Sequence, residues 1–284
     1  MGLPMAHQLL RAGHRVVGVD LDADARERHR TQGGEVAGSP AEAAGGSDVV
    51  ITMLPQHHHV REALFGTGGA AEGLAPGGIV VEMSTIHPLE SDRIRSDLAA
   101  REVAMVDAPV GRTSRHAREG RLLVMAGGHE ADLDRVRPVL GVVGERTVDC
   151  GGPGRGIRMK LVNNFMSAAL NALSAEALTL AASCGLDIDL TLEVLADTPA
   201  GQGHFSTTYP AKALAGDLEP DFMLKLAHKD LTLAVDLAAK LGADSRMGPA
   251  ALEAYRVAEE DGRGEQDWTA LYPAAREKAG FSGP

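Results

Sequence analysis

The sequence up to about residue 150 alternates short apolar runs with helical stretches, and this alternation restricts the fold more than any other feature. The apolar runs are rich in Val, Ile and Leu, which is typical of strands. We predict strands at residues 15–20, 47–54, 78–83, 103–110 and 122–126, with helices between most of them. Such alternation predicts a mostly parallel, helix-covered sheet whose ligand lies beyond the carboxyl ends of the strands.

The pattern changes after the glycine-rich stretch GGPGRG at residues 151–156. Residues 156–184 form one long helical pattern without Pro or Gly after its first residue. Further helices are predicted at residues 187–196, 222–241 and 249–261, and strand-like runs do not return. We therefore predict two domains, an α/β domain at residues 1–151 and an all-α domain at residues 152–284 that begins with the long helix.

The composition excludes several classes of function. With 284 residues, of which 44% are hydrophobic and 24% charged, the chain can bury real cores. A net charge of -11 argues against a nucleic-acid surface, because phosphate binding needs clustered Lys and Arg. The two cysteines, Cys150 and Cys184, lie far apart in the sequence, so they indicate neither a disulfide framework nor the spacing of metal ligands. The chain therefore suits a reducing cytoplasm. Neither a signal segment nor an uninterrupted apolar run of about 18 residues suggests export or a membrane span, so a small-molecule partner is expected.

The chain opens with MGLPMAHQLLRAGHRVVGVD, which reads as a turn, an amphipathic helix and a strand that ends at Asp20. This is the second half of a dinucleotide-binding βαβ unit. Met1 and Gly2 fall at the end of the G-x-G-x-x-G fingerprint, with Gly2 as its third glycine. Asp20 falls where an acidic residue binds the ribose hydroxyls; we prefer this role over a helix N-cap, because Asp22 and Asp24 are better placed to cap the next helix.

The carboxylate of Asp20 also bears on the choice of cofactor. It would face the 2′-phosphate of NADP, so NAD is preferred, and Arg26 and Arg28 in the following helix keep NADP as the alternative. The first strand and first glycines of the unit are not in this sequence. A doubly wound sheet without that strand would have two unpaired neighbours in its centre, so we expect the native protein to begin upstream, with Met1 internal. The predicted fold class is a Rossmann-type doubly wound α/β sheet without its first strand, followed by an all-α domain.

A polar group of residues stands at the start of the long helix, in GRGIRMKLVNNFM at residues 154–166. Lys160 and Asn164 are four residues apart and share one helical face, and Asn163 lies beside them. One ammonium and two amides on an otherwise apolar helix are costly unless they face a cleft. The alternatives are a solvated face and a hydrogen-bond cluster between the domains.

Four ordered stretches give the chain a resemblance to a known family: MGLPMA at residues 1–6, DAPVGRT at 107–113, GRGIRMKLVNN at 154–164 and HKDL at 228–231. They resemble the motifs of the β-hydroxyacid dehydrogenase family, which includes 3-hydroxyisobutyrate dehydrogenase. The resemblance covers nearly the whole chain. It implies an NAD-dependent oxidoreductase with a Rossmann-type domain, and homo-oligomers, dimers or tetramers, are common in that family.

The resemblance also implies roles for individual residues. Lys160 would be the general acid/base, and Asn164 would hold polar groups of the substrate beside it. Lys229 would reach toward the nicotinamide. The cofactor groove would be lined by Met53, Leu54, Pro55, Ser84 and Thr85. Asn163 would help to fix the substrate carbonyl, and Ser167 could complete the pocket, the latter from its position alone.

One departure from the family pattern concerns the substrate. Gly111, Arg112 and Thr113 stand where the family usually has Ser-Gly-Gly, so a guanidinium and a hydroxyl are offered to the substrate anion. A sulfonate suits these donors, but Arg also binds carboxylates, and the residues alone do not choose. The stretches VGRTS, LAHKDL and GRGEQDW resemble, more specifically, the 3-sulfolactaldehyde reductase branch, in which this arginine is associated with the sulfonate. A surface arginine in a loop is the alternative for Arg112.

The resemblance thus implies NADH-dependent reduction of 3-sulfolactaldehyde to 2,3-dihydroxypropane-1-sulfonate. One alternative keeps this chemistry for a carboxylate substrate, such as 3-hydroxyisobutyrate or a tartronate or succinate semialdehyde. Another, of a different class, is a scaffold that no longer binds a cofactor. The run His57, His58, His59 suggests metal ligands, but three consecutive side chains cannot converge on one ion. We place them in a loop after a strand and predict no metal.

Overall fold

A computed structural model describes residues 1–204 and 207–280, except for six helical side chains, those of Ala168, Ala172, Asp230, Leu233, Ala234 and Leu237. By its internal contacts the chain divides into two units, Met1–Phe165 and Met166–Pro284. The division falls inside the long helix that the sequence predicts. The domain boundary expected near residue 152 lies at the start of that helix.

The first unit alternates strands and helices, as the sequence predicts. Its strands are β1 (Val17–Gly18), β2 (Glu35–Val36), β3 (Val50–Thr52), β4 (Ile79–Glu82), β5 (Ala104–Asp107), β6 (Val110–Gly111), β7 (Leu122–Ala126) and β8 (Gly144–Asp149). Its helices are α1 (Gly2–Arg11), α2 (Ala23–Thr31), α3 (Pro40–Ala44), α4 (His57–Phe65), α5 (Ala70–Gly73), α6 (Pro88–Ala99), α7 (Ser114–Arg118), α8 (Glu130–Val143) and the first part of α9 (Arg155–Ser183).

The described strands form three ladders: β1–β2, β3–β4–β5 and β6–β7–β8. All pairs are parallel except β6 with β7, which run antiparallel. Among the strands described, β1 pairs only with β2, and β3 pairs only with β4. The mostly parallel, helix-covered sheet that the alternation predicts is confirmed.

The predicted strand at residues 103–110 is wrong in one respect, because it is two strands. Ala108 and Pro109 separate β5 from β6, and β6 runs opposite to β7. Proline lacks a backbone N–H and interrupts a ladder. The sequence also missed β2, which has two residues, and β8. The segment GERTVD of β8 carries charged side chains that are exposed in the structure, so its apolar signal is weak.

The core of the first unit lies on both sides of β4 and β5. Val81, Val106 and Val124 are fully buried on one side, together with Met5 and Leu9 of α1. A second cluster on the other side includes side chains of α4, α6 and β4: Val60, Leu64, Val80, Ile94 and Leu98. Burying large aliphatic side chains on both faces is what holds a parallel sheet between layers of helices.

Among its described residues the second unit consists of helices joined by turns and loops, with one isolated bridge between Met223 and Asp267. It contains the rest of α9, followed by α10 (Ile188–Ala196), α11 (Pro199–Gln202), α12 (Leu224–Lys240), α13 (Met247–Ala258) and α14 (Leu271–Lys278). Helices α9, α10, α12 and α13 correspond to the predicted ones. The sequence missed α14, which is short and has Pro273 as its third residue; proline is tolerated there because first-turn N–H groups have no helical partner.

Glu176 of α9 joins two helices of this second unit. Its carboxylate accepts hydrogen bonds from the backbone N–H of Arg246 at 2.8 Å and from that of Met247 at 2.9 Å, and from the Ser245 hydroxyl at 2.9 Å. Met247 is the first residue of α13. These bonds lower the pKa of Glu176. A carboxylate at the N-terminus of a helix is favoured by the helix dipole.

Helix α9 is also long and apolar enough, by length and composition, to cross a membrane, and it is the one such helix among the described residues. A membrane span is not expected from the sequence, which has no uninterrupted apolar run of about 18 residues; in this helix Lys160, Asn163, Asn164 and Glu176 interrupt the apolar residues. A single helix that passes this test is weak evidence for a membrane span.

Candidate functional site

The carboxyl ends of β3 and β4 are joined by hydrogen bonds that involve two of the predicted groove residues. The backbone N–H of Leu54 donates to the Ser84 hydroxyl at 2.8 Å, and the N–H of Ser84 donates to Oε1 of Glu82 at 2.6 Å. Oε2 of Glu82 accepts from the hydroxyl of Thr52. Glu82 is 1% exposed, and burial raises the pKa of its carboxyl. The structure therefore brings Leu54 and Ser84 together on a buried support.

The other predicted groove residues lie on the same two segments or beside them. Met53 is half-buried, and Pro55 and Thr85 are exposed. Helix α1 begins at Gly2, after Met1, and no side chain caps its N-terminus. A Cβ added to Gly2 would lie 3.6 Å from Cβ of Met53, which is ordinary contact. The start of α1 thus packs on the end of β3, but space alone does not require glycine there.

Asp20 follows β1 and is exposed, and it does not cap α2. The cap is Asp22, whose carboxylate accepts from the N–H of Asp24 at 2.9 Å, while Oδ1 of Asp20 accepts from the N–H of Asp22 at 2.9 Å. Arg26 donates to the backbone carbonyl of Asp20 at 2.7 Å, and Arg28 lies 3.6 Å from the carboxylate of Asp22. Arg26 and Arg28 are the two residues that left NADP as the alternative cofactor, and both therefore have partners within this segment.

Asp107, the last residue of β5, holds the start of α9. Its Oδ1 accepts from the N–H of Gly154 at 2.6 Å, and its Oδ2 accepts from the N–H of Ile157 at 2.8 Å. Asp107 is 1% exposed, and burial raises the pKa of its carboxyl, while the two N–H donors act in the opposite direction. We did not predict Asp107 as a site residue. An acidic residue that closes an apolar strand was the signal for it.

Two glycines allow α9 to start in direct contact with the ends of β5 and β7. A Cβ on Gly156 would lie 2.6 Å from the carbonyl oxygen of Asp107 and closer still to that of Met125. A Cβ on Gly127 would lie 2.6 Å from the N–H nitrogen of Gly156. No real Cβ makes such contacts with backbone atoms, so the first turn of α9 is packed as tightly as glycine permits.

A second attachment of α9 comes from α6. Arg158 donates to Oδ2 of Asp92 at 2.6 Å and to the carbonyl oxygen of Gly154 at 2.8 Å. Arg95 also pairs with Asp92. The hydrogen bond from Arg158 is the main reason why the pKa of Asp92 is lowered. Gly154 has a φ of 79°, a left-handed conformation that suits glycine in the turn before the helix.

Lys160 lies four residues after Gly156, so it shares the helical face that meets the ends of the strands. The side chain is half-buried, and burial lowers its pKa. Asn164, four residues further on, is half-buried as well, and its side-chain oxygen accepts from the amide of the exposed Asn163 at 3.3 Å. The structure thus places Lys160, Asn163 and Asn164 within the first three turns of α9, with the two amides hydrogen-bonded to each other.

Arg112 has partners inside its own loop region. It adopts a left-handed φ of 74°, and its guanidinium donates to Glu145 at 2.6 Å and to the carbonyl oxygen of Arg121 at 2.7 Å. Both the Arg112 and Glu145 side chains are partly exposed. An anion would therefore have to replace or join Glu145 at this guanidinium.

The neighbours of Arg112 also have structural roles. Gly111 is buried in β6 and lies opposite Leu123 of β7. Thr113 is the N-cap of α7 and forms a capping box with His116; its hydroxyl lies 3.0 Å from Nδ1 of His116. The capping box explains why the loop turns into a helix at Ser114. The substrate-binding roles of Gly111, Arg112 and Thr113 stay predictions.

Two predicted site residues lie in the second unit. Ser167 is an exposed residue of α9, and Lys229 is an exposed residue of α12. Next to Lys229, His228 forms a hydrogen bond of 2.6 Å with Glu259. The histidine run of the first unit is not in a loop, which corrects the sequence-based expectation: His57 starts α4. Among the described residues, no group of three or more His, Cys, Asp or Glu side chains is placed to hold a metal ion.

Two family models match the chain. The NAD-binding domain of 6-phosphogluconate dehydrogenase matches residues 1–152, and the NAD-binding domain of NADP-dependent 3-hydroxyisobutyrate dehydrogenase matches residues 154–275. A 3-sulfolactaldehyde reductase of Escherichia coli (strain K12) is 46% identical over 282 residues, which cover 99% of this chain and 95% of the relative. The mitochondrial 3-hydroxyisobutyrate dehydrogenase of Homo sapiens is 31% identical over 288 residues, covering 99% of this chain and 85% of the relative.

A solved structure of 3-hydroxyisobutyrate dehydrogenase from Mycobacterium tuberculosis, determined with L-serine, is also similar to this chain. It is 30% identical, has a TM-score of 0.67 and covers 97% of this chain and 96% of that one. The family matches span the Rossmann-type α/β region and the helical region that follows it. The chain therefore belongs to the 3-hydroxyisobutyrate dehydrogenase-like family of nicotinamide-dependent oxidoreductases.

Proposed function

We propose that this protein reduces 3-sulfolactaldehyde to 2,3-dihydroxypropane-1-sulfonate with NADH. The observation that carries the proposal is Lys160, a half-buried lysine with a lowered pKa on the face of α9 that meets the strand ends. A poised amine at the carboxyl edge of an α/β sheet is the group that carbonyl reduction needs. The identity of 46% to a 3-sulfolactaldehyde reductase supports the choice of substrate.

The residues present fit a nicotinamide dinucleotide at three points. The N-terminus of α1 has no side-chain cap and lies beside Met53, which suits a pyrophosphate. The segments around Leu54 and Ser84 form a wall at the carboxyl ends of β3 and β4, where such ligands bind. The exposed carboxylate of Asp20 suits the ribose diol and would repel a 2′-phosphate, so we propose NADH rather than NADPH.

The chemistry then follows from the groups on α9. The hydride for the carbonyl carbon of the aldehyde would come from a reduced nicotinamide bound beside the groove. The ammonium of Lys160 stabilises the negative charge that grows on the carbonyl oxygen and donates the proton that completes the alcohol. Asn164, with Asn163 hydrogen-bonded to it, orients the substrate oxygen toward the amine. In the oxidation direction, the neutral amine of Lys160 accepts the proton of the alcohol.

Arg112 is proposed to bind the sulfonate. Its partner Glu145 is partly exposed, and exposed ion pairs are held weakly, so a substrate anion can compete for the guanidinium. The planar guanidinium of arginine can donate two parallel N–H hydrogen bonds, which matches the oxygens of a sulfonate or a carboxylate. Relatives with other names, such as the NAD-dependent L-serine dehydrogenase of Pseudomonas aeruginosa at 32% identity, support carboxylate substrates as the second candidate.

The substrate proposal is tested by comparing kcat/KM for 3-sulfolactaldehyde with kcat/KM for the carboxylate aldehydes, with NADH and with NADPH. We expect the sulfonate with NADH to be the best pair. Arg112→Ala should lower kcat/KM for the sulfonate by about 10- to 100-fold, because hydrogen bonds between charged groups are lost. Arg115→Ala, at an exposed pair with Glu119, is the control and should leave it unchanged.

Other results of this assay would lead to other conclusions. Faster reduction of a carboxylate aldehyde would replace the sulfonate proposal by the second candidate. If kcat/KM for the sulfonate falls equally in Arg112→Ala and Arg115→Ala, Arg112 does not bind the substrate. Absence of NADH binding in a fluorescence titration would favour the scaffold alternative.

We also propose that a second copy of the chain covers apolar side chains that are exposed in the single chain. Val162 and Phe165 of α9 are 66% and 76% exposed, and α10 exposes Leu190 and Val194, each at 56%. Within each helix the two side chains share a face, and exposed apolar faces of this kind mark protein interfaces or membrane contacts. A protein partner is favoured because α9 also carries Glu176 and Lys160, which are costly in lipid.

The oligomer prediction is checked by sedimentation equilibrium of the purified protein without detergent. We expect a mass that is a multiple of the monomer mass. Phe165→Glu should shift the equilibrium toward the monomer, because a charge would be buried in the interface. Leu89→Glu, at a residue of α6 that is 58% exposed, is the control. A monomer at all concentrations, or protein that stays in solution only with detergent, would contradict the proposal.

A further inference from the structure

The start of α9 is attached to the rest of the first unit by two carboxylates in very different surroundings. Asp107 is buried and binds two backbone N–H groups, those of Gly154 and Ile157. Asp92 binds the side chain of Arg158, and both of these side chains are partly exposed. Exposed ion pairs contribute little to holding a segment in place, whereas a buried carboxylate with two N–H donors has no water to replace it.

The two bonds of Asp107 restrain the helix in more than one direction. Gly154 precedes the helix and Ile157 is its third residue, so the carboxylate holds two points on the first turn. Two fixed points on one turn limit both rotation of the helix about its axis and translation along it. Lys160 follows Ile157 by three residues, which places its side chain on the next turn of the same helix.

The backbone of Asp107 has a separate function. Its N–H donates to the carbonyl of Gly127 at 3.1 Å, and its carbonyl accepts from the N–H of Gly127 at 2.8 Å. These bonds join the ends of β5 and β7 without the side chain. A change of the carboxyl group therefore leaves the contact between the two strand ends in place.

We propose that Asp107 is the positioning residue for Lys160: its carboxylate sets the rotation and depth of the first turn of α9, and thereby the place of the amine in the reaction. Asp107 does not touch the substrate in this account. The inference rests on the proposed role of Lys160. Glu82 holds the cofactor wall at Leu54 and Ser84 through other bonds, so a change at Asp107 should affect the proton-transfer step rather than cofactor binding.

The test is Asp107→Asn, which keeps the volume and one acceptor but turns an NH2 group toward the other backbone N–H. We expect kcat to fall by about 10- to 100-fold, since a misplacement of about 1 Å can cost this much, while KM for NADH stays unchanged. In the NADH-bound protein, amide hydrogens of residues 154–160 should exchange about tenfold faster. Asp97→Asn, at an exposed pair with Arg61, is the matched control and should change neither value.

The outcomes separate this inference from the proposed function. If Asp107→Asn leaves both the amide hydrogen exchange of residues 154–160 and kcat unchanged, the positioning role of Asp107 is overturned. Faster exchange with an unchanged kcat would overturn it as well. A parallel rise in KM for NADH would overturn it as well, because the whole sheet edge would then have moved. If Lys160→Met leaves kcat unchanged, the proposed function fails, and the exchange data still report whether Asp107 holds α9. Should Asp107→Asn not fold, Asp107→Ser, which is smaller and keeps a hydroxyl acceptor, takes its place.

Discussion

Replacing Lys160 with Met is expected to lower kcat for aldehyde reduction by about 100- to 10,000-fold, the usual contribution of a positioned proton donor. Met has about the length of the lysine stem, so the half-buried site stays filled while the ammonium is lost. Binding of NADH, followed by its fluorescence, should be unaffected. Lys240→Met, at an exposed pair with Asp236 on α12, is the control for loss of a lysine charge.

The pH dependence of the wild type checks the same assignment. Burial lowers the pKa of Lys160 below that of an ordinary lysine. Reduction needs the ammonium, so kcat for reduction should fall as pH rises through this lowered pKa. Oxidation of the alcohol needs the neutral amine and should become faster over the same range of pH. Neither of these two changes of rate with pH should occur in Lys160→Met. If the mutant shows them, or if its kcat stays within about threefold of the wild-type value, the role of Lys160 is refuted.

Gly156→Ala is expected to lower the free energy of unfolding by about 3 kcal/mol, at the upper end for an overpacked site. The added methyl would meet the carbonyl oxygens of Asp107 and Met125, which are backbone atoms and cannot turn away. Chemical denaturation followed by far-UV circular dichroism measures the loss. Because the first turn of α9 must shift to admit the methyl group, kcat should fall too.

Gly141→Ala is the matched control for Gly156→Ala. Gly141 lies inside α8, and an added Cβ would have nothing within 4 Å, so this variant should be more stable than the wild type by about 1 kcal/mol, the difference in helix propensity. Equal stability changes in the two variants would show that the close packing of α9 on the strand ends is not what makes glycine necessary at position 156.

Much of the first unit could be predicted because strands and helices leave local periods in the sequence. The strand at residues 122–126 is found at these residues, and the long helix predicted at 156–184 is found as Arg155–Ser183. Errors arose where a local feature was weak or misread. Pro109 divides the strand predicted at 103–110, and the charged residues of β8 hide a strand that pairs with β7 on one side.

In the candidate site, too, features that depend on local spacing could be predicted, whereas contacts between distant residues could not. The spacing of Lys160 and Asn164 predicts their common face, and the structure places both, half-buried, on it. Asp107 and Glu82 were missed, because each binds a group that lies far away in the sequence, although Glu82 also accepts from the N–H of Ser84 two residues further on. Asp107 binds an N–H group 50 residues further along the chain, and Glu82 binds a hydroxyl 30 residues before it. Arg112 was assigned to an anion, and only the folded chain shows Glu145, 33 residues away, at its guanidinium.

The sequence by itself determined the alternation of strands and helices in the first unit, most of the helices of the second, the helical face that carries Lys160, and the family. These properties depend on neighbours within a few residues or on motifs that can be read in order. Only the tertiary structure decided which buried carboxylate holds the first turn of α9 and which glycines that contact requires. The reason is physical: a period fixes the face that a side chain occupies, but the partner on that face comes from another strand, and the topology of the sheet brings the two together.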